Sequence, residues 1–198
     1  MTESSTVLRA GGYAALLVIP VVIAAGIAFW LFLNGAGAFF GPINDLLVAI
    51  ALALLVPTVL AIRSIVGPGA GPWFDFLTWL SVAGLTLAAV GQVLLVVGVI
   101  PLEGSFVTGG LGILPVLAWV LAVGVLAGRV EVLPDQLGWV TAVLFGMIVV
   151  VAIGSAVLPG PAVTLATTAM LLSLAGWLVA AGFACLAAVP PGSVAVSV

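Results

Sequence analysis

The sequence contains no histidine and no lysine, and its only cations are Arg9, Arg63 and Arg129. Without lysine there is no amine for a Schiff base, which excludes a retinal-type pigment. Without histidine, haem on an imidazole, histidine-ligated zinc and Ser–His hydrolysis are excluded as well. A single cysteine, Cys185, can form neither an internal disulfide nor a CxxC redox pair. No basic patch exists to meet nucleic acid, and no polybasic run to meet anionic lipid. The net charge of −3 reflects scarcity: charged residues are 5% of the 198, against roughly 25% in a soluble domain. No cofactor or metal is implied by what remains.

What is present is oil. Hydrophobic residues make up 65% of the chain, and the mean hydropathy is +1.54. A membrane-spanning helix needs about 20 apolar residues, because each adds about 1.5 Å against a core of about 30 Å. Six segments approach or exceed that length, at residues 13–33, 43–66, 73–100, 111–128, 137–158 and 162–188. They predict an all-α fold: a polytopic transmembrane bundle of six helices, forming one membrane domain over residues 1–198. The third segment is long enough to require tilt. The fourth is short, contains Pro115, and has an open start, with Phe106 or Val107 as alternatives. Arg9 before an apolar run, with Ala36-Gly37-Ala38 beyond it, resembles a cleaved signal peptide. The run from Tyr13 to Leu33 exceeds the usual h-region of about 7–15 residues, so a retained first helix is expected.

Gly-Pro pairs at 41–42, 67–68, 71–72 and 160–161 mark the connections, since proline suits the first turn of a helix. Gly41-Pro42-Ile43-Asn44-Asp45 and Gly71-Pro72-Trp73-Phe74-Asp75 share one pattern, with an aspartate facing the positive end of the helix dipole. Pro134-Asp135 opens the fifth helix in a related way, and the tail after Pro190 is expected to fray. Six helices put the three arginines on one side, and the positive-inside rule makes that side cytoplasmic, with both termini. Arg63 and Trp73 are ten apart, as are Arg129 and Trp139, at an offset of 66 residues. Helices two–three and four–five could therefore be parallel copies, although a shared preference of Arg and Trp for interfaces explains the same spacing.

Helices in lipid associate through small residues and polar contacts. Candidates are Gly84, Gly91 and Gly98 in helix three, Gly124 and Gly128 in helix four, and Ala169, Ser173, Gly176 and Ala180 in helix six. No ionisable side chain falls near the middle of a predicted helix, which argues against a proton relay or ion pump. Gln92 is the most deeply placed strongly polar side chain; it either orients a ligand or makes an interhelical hydrogen bond. Asn44 and Asp45 start helix two near Asn34, and could gather with Glu103 at the outer mouth or simply cap the helix. Asp75, Arg63, Arg129, Glu131 and Asp135 share the cytoplasmic side, where Arg63–Asp75 or Arg129–Asp75 could clamp two hairpins. The hydroxyls of Thr164, Thr167, Thr168 and Ser173, and of Ser155, bond most simply to their own helix. Cys185 reads as a small packing residue.

Phe40-Gly41-Pro42-Ile43-Asn44-Asp45-Leu46-Leu47, and the run from Gly128-Arg129 through Leu133-Pro134 to Leu137-Gly138-Trp139, resemble uncharacterised six-helix bacterial membrane proteins of the domain-of-unknown-function type. The resemblance implies the fold and a plasma (inner) membrane location, and no activity. Three functional readings follow. The first is a non-catalytic bundle that binds lipid, a small apolar ligand or a membrane-protein partner, and it is preferred over an enzyme. The second is a small transporter or channel for a neutral solute. The third is an intramembrane enzyme using carboxylates at one interface, Asp45 with Glu103 or Asp75 with Glu131. Self-association into a homo-oligomer is left open.

Overall fold

The computed structural model describes residues 3–127, 129–130, 133–157 and 160–190. Among them the regular elements are six α-helices: α1 Glu3–Leu33, α2 Phe40–Ala70, α3 Pro72–Val96, α4 Leu102–Ala127, α5 Asp135–Val157 and α6 Gly160–Ala187. All six are long and apolar enough to cross a membrane. Their hydrophobic residues run all the way round, as in helices surrounded by apolar matter on every side. Accordingly the outside of the bundle is apolar, with Phe76, Phe106, Leu114, Leu165 and Leu172 among its exposed side chains.

Each helix packs on the next in the chain, and α1 packs on α6. The six therefore form a closed ring, crossed by a slight touch of α2 on α6 and by Trp119 of α4 against Trp177 of α6. Five of the six joints are backed by a chain connection; the α6–α1 joint is held by side-chain and backbone packing alone. At that joint a Cβ on Gly182 would meet the Gly12 carbonyl oxygen at 3.1 Å. The start of α1 and the close of α6 thus lie at the same end of the ring, which is called the termini end below.

Close approach at glycine fixes the ring. Gly84 of α3 and Gly112 of α4 touch backbone to backbone, Gly91 sits on Thr108, Gly11 on Ala61 and Pro57, and Gly124 on Thr141 of α5. These contacts revise several expectations. Gly98 does not extend the ridge of Gly84 and Gly91: it takes φ +74° just after α3 and nothing lies near it. So α3 stops at Val96 rather than at 100, and the extra length that called for tilt is loop. Gly176 of α6 is only in ordinary contact with Val140, and the tight joint of α6 is made by Gly182. Gly128 lies outside the described residues.

The helix limits move for the same physical reason. α1 begins at Glu3, about three turns before Tyr13, because Leu8 is buried in the core and Gly11 rests on α2. α4 begins at Leu102, nine residues before Leu111, because Thr108 and Gly112 are held against α3. Tertiary contact overrides the weak helix propensity of that glycine-rich stretch. Gly67-Pro68 opens no helix, since α2 runs on to Ala70. Asp45 lies past the first turn of α2, whereas Asp75 and Asp135 do occupy first turns. A single residue, Gly71, joins α2 to α3 with φ 77° and ψ 178°, a conformation essentially reserved for glycine.

Candidate functional site

Within the ring lies a cavity of about 230 Å³ that is partly open to the outside beside Ile113 of α4. It is lined from α2 (Leu55, Thr58), α4 (Val116, Trp119), α5 (Leu144, Ile148) and α6 (Met170, Leu174, Trp177, Leu178), among others. These residues come from the middle turns of their helices. Its wall exposes no polar surface, although it contains a threonine and two tryptophans. The reason lies in where the polar atoms point. The Thr58 hydroxyl donates to the Gly11 carbonyl at 3.1 Å, away from the cavity. Trp119 Nε1 donates to Thr78 Oγ1 at 3.1 Å, and that hydroxyl donates to the Phe74 carbonyl at 2.8 Å. Trp177 Nε1 donates to Thr141 Oγ1 at 3.0 Å, which donates to the Leu137 carbonyl at 2.7 Å. Each indole N–H is thereby satisfied sideways, and only ring carbon remains for the cavity.

The two indoles also hold each other. Their centroids are 6.1 Å apart at 71°, an edge-to-face contact, and Trp119 stacks on Phe74 at 6.3 Å. Both are almost wholly buried, at 1% and 2% exposure. Among the described residues no buried side-chain nitrogen or oxygen lacks a hydrogen-bond partner.

The same relay occurs in two hairpins at the same place. From α3 to α5 the offset is 63 residues, for the helix starts Pro72 and Asp135 and for Thr78 and Thr141 alike. From α4 to α6 it is 58, for the starts Leu102 and Gly160 and for Trp119 and Trp177. The repeating unit in the structure is thus α3–α4 with α5–α6. The offset of 66 that matched Arg63 and Trp73 to Arg129 and Trp139 puts Asp75 opposite Thr141, and it does not align the helix starts.

The residues singled out in the sequence lie elsewhere. Gln92 is half-buried on α3, which contributes nothing to this cavity, and no hydrogen bond of its side chain is found among the described residues. Asn44 Nδ2 donates to Asp45 Oδ1 at 3.0 Å, and Asn34 Nδ2 to the Trp30 carbonyl at 2.8 Å. Glu103 is exposed, and among the described residues no hydrogen bond or ion pair joins it to that pair. At the termini end Arg63 Nε meets Asp75 Oδ1 at 2.7 Å, and its guanidinium lies 5.5 Å from the Trp79 ring centroid. Arg129 is exposed and Asp75 is paired with Arg63 instead. Glu131 lies outside the described residues, and so do the side chain of Ser155 and the tail beyond Pro190. Thr167, Thr168 and Ser173 each donate to the carbonyl four residues back, as read from the sequence.

No family model, curated protein or solved structure matches the chain. The geometry therefore carries the functional argument alone.

The sequence reading missed Thr58, Thr78, Thr141, Trp119 and Trp177. A usable signal was there: Trp119 and Trp177 fall deep within their segments, whereas Trp30, Trp73, Trp79 and Trp139 lie near segment ends. A buried indole N–H needs an acceptor, and a hydroxyl in a neighbouring helix is one that an apolar bundle can supply.

Proposed function

We propose that the chain is a multi-pass membrane protein that holds a small apolar molecule or lipid within its helix ring and performs no catalysis. One observation supports this reading above the others: a central cavity whose polar atoms are all turned outward. Ligand pockets usually carry a few convergent polar groups for orientation. A wall without any suits a ligand that offers none, and disfavours conduction of a polar solute. Catalysis by interfacial carboxylates gains no support, because Asp45 is paired with Asn44 and Asp75 with Arg63. The apolar outer surface and the six long helices favour a bilayer as the surrounding medium. Arg9, Arg63 and Arg129, all at the termini end, favour cytoplasmic termini in the plasma membrane.

Native mass spectrometry of the gently purified protein tests the reading. A bound apolar species that survives detergent exchange is expected. Protein that is stripped bare in every mild detergent, with an unchanged melting temperature on adding lipid extract, would sink it.

A further inference from the structure

We infer that the occupant of the cavity is one aliphatic chain of a bilayer lipid, and that it lies across the α1–α6 joint. This rests on the membrane reading above and deepens it. On the outer side of that joint a groove of about 250 Å³ runs between α1 and α6. It is lined by Ile23 and Gly26 of α1 and by Thr168, Leu171, Leu172 and Ala175 of α6, among others. Several of these face outward, where a bilayer would press acyl chains against them.

Two residues border both spaces. Leu174 and Leu178 line the groove on one side and the cavity on the other. They are successive members of one helical stripe, with free volume on either side of them. Shifts of these side chains connect the groove with the interior. The joint is also the one place where adjacent helices have no connecting loop. At the termini end Gly12 and Gly182 press α1 and α6 together, and the groove appears beyond that contact, where the helices part. Gly26 sits at the open end, and a Cβ there would meet nothing within 4 Å.

The chemistry identifies the occupant. Groove and cavity present almost no polar surface, so headgroups, sugars and peptides are not accommodated. At that depth of a bilayer the abundant partner is a methylene chain, whose burial against such walls is favourable through packing contacts. The chain lies in the groove and passes its end between Leu174 and Leu178 toward Trp119 and Trp177.

Bromine on an acyl chain quenches tryptophan only near contact. The test uses Trp30→Phe, Trp73→Phe, Trp79→Phe and Trp139→Phe together, which leaves Trp119 and Trp177 as the fluorophores. The protein is reconstituted in phosphatidylcholine vesicles whose tails are brominated or not. Emission is expected to fall by about half with brominated tails, since the chain reaches contact distance. Gly26→Phe places its Cβ in open space and its ring in the groove, and is expected to restore most of that emission at an unchanged melting temperature. Free brominated fatty acid added to unbrominated vesicles separates the sources: quenching there at low mole fraction assigns the site to a free chain instead of a phospholipid tail. If the quadruple variant fails to fold, the wild type is compared with Trp119→Phe and Trp177→Phe, and the difference isolates the two rings. Emission unaffected by brominated tails overturns the inference, whatever native mass spectrometry finds in the cavity. Quenching that persists in Gly26→Phe keeps the cavity reading and overturns the path across the α1–α6 joint.

Discussion

Trp119 and Trp177 are large, buried and polar at one atom, and each has its polar atom matched by a threonine that is itself anchored to a carbonyl one turn back. Removing the acceptor alone leaves a buried donor unpaired. Thr141→Val is expected to cost about 1–2 kcal/mol, read as a shift in an SDS-titration unfolding curve. Trp177→Phe in that background should cost less than it does in the wild type, because the unpaired N–H leaves with it. Additive losses would show that the bond carries no coupling. Gly71 is a second residue whose chemistry is dictated locally. Gly71→Ala forces a side chain into a region open almost only to glycine and is expected to cost about 1–3 kcal/mol, measured in the same assay. The Arg63–Asp75 pair is different, because both side chains are more than a third exposed. Either charge reversal is expected to cost about 0–1 kcal/mol, and the swap Arg63→Asp with Asp75→Arg should recover it. Failure of that rescue would mean that the stacking of Arg63 on Trp79, not the ion pair, holds the corner.

Among the elements, α3 and α4 meet through glycine more tightly than composition suggests. Gly91→Leu drives a branched side chain into Thr108 and is expected to cost about 1–3 kcal/mol or more, whereas Gly26→Leu, in open space, should leave the melting temperature unchanged or raise it slightly. Equal effects of the two would refute the packing account. The number and rough place of the helices were legible in the sequence, since only long apolar runs separated by Gly-Pro turns satisfy the composition. The pairings were not. Heptad-spaced Gly84, Gly91 and Gly98 look alike as letters, yet the last one ends a helix, because its conformation depends on the turn that follows it. Gly11 and Gly12 were hidden by a helix start placed at Tyr13, where hydropathy rises but backbone order does not begin. The Arg63–Asp75 pair was legible, because both residues flank one short turn. The cavity was not, because Met170, Ile148 and Leu55 are separated by long stretches of chain and share no pattern.

For the molecule as a whole, the ring order follows from six consecutive helices with short connections, closed where the chain has none. That closure puts the start of α1 and the close of α6 at one end, and the arginines there are the ground for proposing that end as the cytoplasmic face under the positive-inside rule. A reporter fused after Val198 is expected to be active only as a cytoplasmic marker, and one inserted among residues 34–39 only as an external marker; the reverse pattern would overturn the orientation. The lone sulfhydryl has a practical consequence. Cys185 is sealed inside α6 with no exposed surface, so a maleimide offered to the folded protein should find nothing to label. Any cysteine engineered onto the rim would then report on its own surroundings, and spacing between helices could be tracked during lipid exchange without first erasing a native background.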